Sequence, residues 1–154
     1  MTVRITTRLR VSVLVALLAA GLLSVGLSFA APASATAPLS LTFEKEAVEA
    51  GVWEGSVSGD VDGDLRTVLT SCTGPNPCSG TVWHVEFDWI IDAGAQSFTA
   101  HLRGVLNSRT GAVVMNGTVV DGYLQGARVH EEGHLVDAAS MRFEGSIDVM
   151  PATG

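Results

Sequence analysis

The sequence is short of basic residues and of cysteine, and both shortages narrow its chemistry. Nine Lys and Arg stand against sixteen Asp and Glu. Arg4, Arg8 and Arg10 lie in the first ten positions, so residues 36–154 keep only Lys45, Arg66, Arg103, Arg109, Arg128 and Arg142. All sixteen acids fall in that portion, which carries a formal charge of −10. An acidic surface repels phosphate backbones and anionic lipid headgroups, so neither nucleic acid nor a membrane surface is an expected partner. Ser and Cys nucleophile signatures are absent, as is a glycine-rich phosphate loop. No long amphipathic helix follows residue 35, and no motif calls for a cofactor.

The two cysteines, Cys72 and Cys78, bracket Thr-Gly-Pro-Asn-Pro. A redox-active pair uses a two-residue spacer with a helix behind it. Five residues with two prolines predict a disulfide across a turn instead, contributing about 2 kcal/mol through the entropy of the unfolded chain. Such a bond implies an oxidising compartment.

The N-terminus agrees. Its three arginines precede an apolar run from Val11 to Phe29 and the small residues Ala33-Ser34-Ala35. That order predicts a cleavable secretory signal helix over residues 1–35, and a secreted mature protein. A retained membrane anchor is the alternative, because the run almost spans a bilayer. Cleavage leaves residues 36–154, enough for one domain with a real core.

Thr81–Ile91 organises that domain. Read with a period of two, Trp83, Val85, Phe87, Trp89 and Ile91 share one side, and His84, Glu86 and Asp88 the other. This is the pattern of a strand with one packed face. Similar alternation runs through Leu39–Phe43, Val52–Gly59, Leu65–Ser71, Phe98–Gly104, Ala112–Asp121, Tyr123–His130 and Met141–Met150. Residues 44–49 fit either a continuation of the first strand or a turn of helix. About eight closely spaced strands predict an all-β fold, an antiparallel barrel whose closure leaves no exposed edge.

Gly117-Thr118-Val119-Val120-Asp121-Gly122-Tyr123-Leu124-Gln125-Gly126-Ala127 and Arg142-Phe143-Glu144-Gly145-Ser146-Ile147 resemble the glycine-punctuated hairpins of allene oxide cyclase and dirigent-like barrels. The resemblance spans about the last third of the mature chain and implies an eight-stranded antiparallel barrel with an apolar cavity. Val120-Asp121-Gly122 stands where that family has Gly-Thr-Gly, and no catalytic residue carries over.

Three constellations are candidates for chemistry. His130-Glu131-Glu132-Gly133-His134 has the letters of a zinc-protease motif, which works only on a helix, where both imidazoles share one face. Its strand-like flanks predict a hairpin loop with Glu-Glu-Gly at the tip, leaving His130 and His134 as remote metal candidates. Asp60, Asp62 and Asp64 have the spacing of the first calcium ligands of an EF-type loop, but Leu65 and Ser71 break the pattern, so a solvated turn is expected. His84, Glu86, Asp88 and His101 form a possible polar cluster, facing solvent if the tryptophans face inward.

Non-catalytic binding of a small apolar ligand, or of a protein partner, is the leading functional expectation, with Trp53, Trp83, Phe87 and Trp89 as candidate cavity wall. The alternative is a cyclase- or isomerase-type barrel enzyme acting on an apolar substrate. A cavity walled by tryptophan with one buried acid favours the enzyme, and a filled interior favours a structural or interaction role.

Overall fold

The computed structural model describes residues 37–73 and 78–152. The signal segment expected over residues 1–35 lies outside them. The described residues form eight antiparallel strands: β1 (Leu39–Glu49), β2 (Val52–Gly59), β3 (Gly63–Thr73), β4 (Val82–Asp92), β5 (Phe98–Asn107), β6 (Ala112–Gly122), β7 (Arg128–Asp137) and β8 (Arg142–Met150). Each strand pairs with the next, and β1 pairs with β8 to close the barrel. The closing seam runs from Leu39 opposite Val149 to Lys45 opposite Phe143.

Alternation decides which side chains meet inside. Leu39, Leu41 and Phe43 of β1 are buried while Ser40, Thr42 and Glu44 are exposed. In β4, Val85, Phe87, Trp89 and Ile91 are buried. With Leu65, Leu102, Met115, Ile147 and Val149 they make one continuous core. Each such side chain withdrawn from water contributes roughly 1.5–3 kcal/mol.

Residues 44–49 resolve as strand. They pair with β2 through Glu49 opposite Val52, and Lys45 also stands opposite Phe143 of β8. A turn of helix there would strip hydrogen-bond partners from two neighbouring strands at once.

The larger difference lies at β7. Alternation over Tyr123–His130 predicts a strand, but a turn covers residues 123–126. Gly122, Leu124 and Gly126 have φ of 85°, 59° and 86°. Three left-handed residues within five cannot lie in an extended strand. The turn closes through Gln125 N–H to the Gly122 carbonyl and Ala127 N–H to the Leu124 carbonyl. β7 therefore starts at Arg128, and residues 130–134 sit in mid-strand rather than at a hairpin tip.

Close strand approach needs glycine at Gly55. A Cβ there would lie 1.9 Å from the Glu44 carbonyl oxygen and 2.7 Å from the Lys45 Cα.

The β1–β2, β3–β4, β5–β6 and β7–β8 links gather at one end of the barrel, together with the disulfide between Cys72 and Cys78, whose Cα atoms are 5.7 Å apart. One like-charge pair on the outer wall is bridged by a cation. Glu44 stands opposite Glu144, and Arg142 bonds both carboxylates.

Candidate functional site

The inward alternation of β1 does not stop at Phe43. Lys45 follows in the same register and is only 6% exposed. It is the one lysine of the chain, every other cation being arginine. Its Nζ lies 3.8 Å from the centre of the Trp89 ring system, 5.3 Å from Phe43 and 5.4 Å from Phe87. The faces of those rings carry negative potential, which favours a cation without hydrating it.

Glu131 reaches the interior from β7 by the same rule. It follows Val129, precedes Gly133 and is fully buried. Neither carboxylate oxygen has a hydrogen-bond partner among the described residues. The Trp89 Nε1 and Thr67 Oγ1 are unpartnered in the same way. Such groups cost free energy in a low-dielectric interior, so an enclosed carboxyl favours its neutral form.

The two charges act on each other. Burial pushes the Lys45 ammonium down from 10.5 to about 8, while the Glu131 carboxylate pulls it upward. Burial pushes the Glu131 carboxyl up from 4.5 to about 7, opposed by Lys45 and His130 and assisted by Glu132. Lys45 and Glu131 make no ion pair within contact distance among the described residues. Their attraction acts across the interior.

Above Lys45, toward the disulfide end, lies a cavity of about 40 Å³. That is room for about three waters. Trp53, Trp83, Phe87, Leu106 and Met141 contribute apolar surface, and Lys45 is the one ionisable side chain that lines it. Exposed Cys78 also lines it, so the cavity opens at the protein surface.

Trp53 is anchored at this rim. Its Nε1 donates to the Met141 carbonyl at 3.1 Å, and its ring meets Phe87 edge-on at 5.5 Å. Trp83 is held by Nε1 donating to the Gly80 carbonyl at 3.0 Å. Trp89 lies deeper: it is 1% exposed and packs edge-on against Phe43 at 5.0 Å. Of the four aromatic candidates, Trp53, Trp83 and Phe87 border the cavity, while Trp89 lies beneath Lys45.

The polar cluster sits on the outer wall. His101 Nδ1 is 2.8 Å from Asp88 Oδ1, and Nε2 is 3.6 Å from Glu86 Oε2. His84 is exposed further along β4, opposite Val105. These side chains are a third or more exposed, where such pairs contribute about 1 kcal/mol at most.

The zinc-motif letters are pulled apart by the strand. Four residues span about 13 Å in extended chain and about 6 Å in a helix. His130 and His134 both face outward, and His130 contacts Asn116 Oδ1 at 2.8 Å and Glu132 Oε1 at 3.1 Å. Glu131 points the opposite way. No group of three or more His, Cys, Asp or Glu able to hold a metal ion occurs among the described residues. In the acidic turn, Asp60 accepts from the Ser40 N–H at 2.8 Å and Asp62 from the Gly59 N–H at 3.3 Å.

Sequence reasoning passed over Lys45 as a site residue and weighed Glu131 only as part of a metal motif. The signal for both was the period of two, which carries a charge onto the packed side of each strand. Comparison with known proteins adds no relative: the chain matches no protein-family model, no curated protein and no solved structure.

Proposed function

We propose that this protein is exported and binds a small apolar ligand at the disulfide-bearing end of its barrel. The observation that carries the reading is the cavity itself: almost wholly apolar walls from Trp53, Trp83, Phe87 and Met141, open at one end, with Lys45 among its lining residues. Small-molecule sites are mostly apolar concavities with a few placed polar groups. Export is supported by the arginine-led apolar run of residues 1–35 and by the Cys72–Cys78 disulfide.

The size of the cavity restricts the ligand. Three or so heavy atoms fit without rearrangement, so a slender chain end enters and the rest lies between the rim tryptophans. Tryptophan emission titrated with short apolar alcohols and acids tests this. A saturable change that Trp53→Phe and Trp83→Phe weaken is expected, and flat titrations across the panel overturn it.

One observation favours a second reading, an isomerase- or cyclase-type enzyme: Lys45 lines a cavity with tryptophan in its wall, and a second ionisable group, Glu131, is buried in the same barrel interior. Groups perturbed toward neutral pH suit proton transfer. Turnover lost in Glu131→Gln with binding retained is the outcome that selects it.

A further inference from the structure

We propose that Lys45 captures aldehydes or unhindered ketones as an imine at the floor of the cavity. The inference rests on the ligand-binding reading above and names the chemical class of the ligand.

A chain with eight arginines and one lysine has placed that lysine inside the barrel, at the base of an open apolar cavity. Arginine would serve better as a structural cation against aromatic rings, since its planar guanidinium stacks on them and stays charged. Lysine differs in one respect that matters here: its amine gives up a proton when desolvated and becomes a nucleophile. Burial pushes Lys45 in that direction, to about 8. Trp89, Phe43 and Phe87 face the nitrogen, and it makes no side-chain hydrogen bond or ion pair among the described residues.

The reaction balances without an oxidant or reductant. The Nζ lone pair attacks the carbonyl carbon, a C–N bond forms and the C=O π bond breaks, giving a hemiaminal. One N–H proton moves to the alkoxide oxygen in forming the neutral hemiaminal; the hydroxyl then leaves with the second N–H proton as one water, the C–O bond breaks and C=N remains. Protonation of that imine gives an iminium, for which the unpartnered Glu131 carboxylate is the buried counter-charge. The small volume above Lys45 selects carbonyls with a slender substituent.

The test uses the intact mature protein, whose only primary amines are Lys45 and the chain's α-amine. It is incubated with butanal or hexanal and sodium cyanoborohydride, and peptides are mapped by mass spectrometry. Reduced adduct on Lys45 is expected to form roughly tenfold faster or more than on the same lysine in urea-unfolded chain, because more of the folded amine is free at neutral pH. With cyanoborohydride in excess, so that attack of the amine limits the rate, the rate should rise with pH and level off near the value at which Lys45 deprotonates. A Lys45 labelled no faster folded than unfolded, or mass gained at the α-amine alone, overturns the proposal.

Parallel fluorescence titration with butanol and hexanol separates the two readings. Alcohol binding without a preferred Lys45 adduct removes the imine and leaves the ligand site standing. Flat alcohol titrations without an adduct remove both. A preferred adduct establishes the imine whether or not alcohols bind.

Discussion

The Nζ of Lys45 stands 3.8 Å from the centre of the Trp89 ring system, so the sole lysine of the chain lies against its most deeply buried tryptophan. An amine in that position is held by ring electrostatics on one side and by the field of Glu131 on another. Both depend on pH, and the stability of the barrel inherits the dependence.

Between pH 4.5 and 7 the native state keeps the Glu131 proton that the unfolded chain has lost, so stability falls as pH rises. Between pH 8 and 10.5 the unfolded chain holds the Lys45 proton that the native state has lost, so stability rises with pH. The pair therefore contributes a stability minimum between pH 7 and 8, with flanks on the order of 3 kcal/mol. Urea midpoints measured from pH 4 to 11 should trace this valley, and a maximum near pH 7.5 would contradict it.

Replacing both partners should fill the valley. Lys45→Met with Glu131→Met replaces two buried ionisable groups by apolar side chains of similar length, and such exchanges are neutral or stabilising by about 1–4 kcal/mol. At pH 7.5 the double variant is expected to be at least as stable as the parent, with a flatter pH profile. Denaturant unfolding of the two proteins side by side checks it.

The disulfide tethers the loop that carries Cys78 to the cavity rim. Cys72→Ser with Cys78→Ser should cost about 2 kcal/mol, the loop-closure entropy of a short ring. Ligand affinity should fall as well, since one side of the entrance is released. Thermal melts and emission titrations on the same samples read both effects.

Zinc should not bind at His130 and His134. With about 13 Å of strand between them, the two imidazoles cannot share one tetrahedral ion. Equimolar zinc is expected to leave the melting temperature unchanged, and His134→Ala to alter stability by less than about 1 kcal/mol. Calorimetric titration with zinc would expose any tight site.

Gly55→Ala should be severe for so small a change. Its Cβ would meet the Glu44 carbonyl oxygen at 1.9 Å, a backbone contact that no rotamer relieves. Moving β1 away also displaces Lys45 from its aromatic bed. A loss of about 3 kcal/mol is expected from the overpacking, read by urea denaturation.

Much of the barrel was legible in one dimension. Leu39, Leu41 and Phe43, or Val85, Phe87, Trp89 and Ile91, alternate with polar neighbours, and an extended chain has no other way to separate them. That local rule made the chain all-β and set which residues of β1 and β4 face the core. It also put His84, Glu86 and Asp88 on the opposite side of β4. The spacing of Cys72 and Cys78 likewise announced a bonded pair. Alternation failed at Tyr123–His130, where left-handed backbone at Gly122, Leu124 and Gly126 made a turn from residues whose side chains read as strand.

The sequence alone determined the repeating inside and outside of each strand, because that choice is made by neighbours two residues apart. Only the tertiary structure decided what the inside contains. Lys45 and Glu131 are 86 positions apart and come from different walls of the barrel. Trp53, Trp83, Leu106 and Met141 meet around one opening because closure brings four separate links to the same end. The shape of a cavity, and which inward side chains of distant strands share it, are properties of all eight strands together, and no local pattern encodes them.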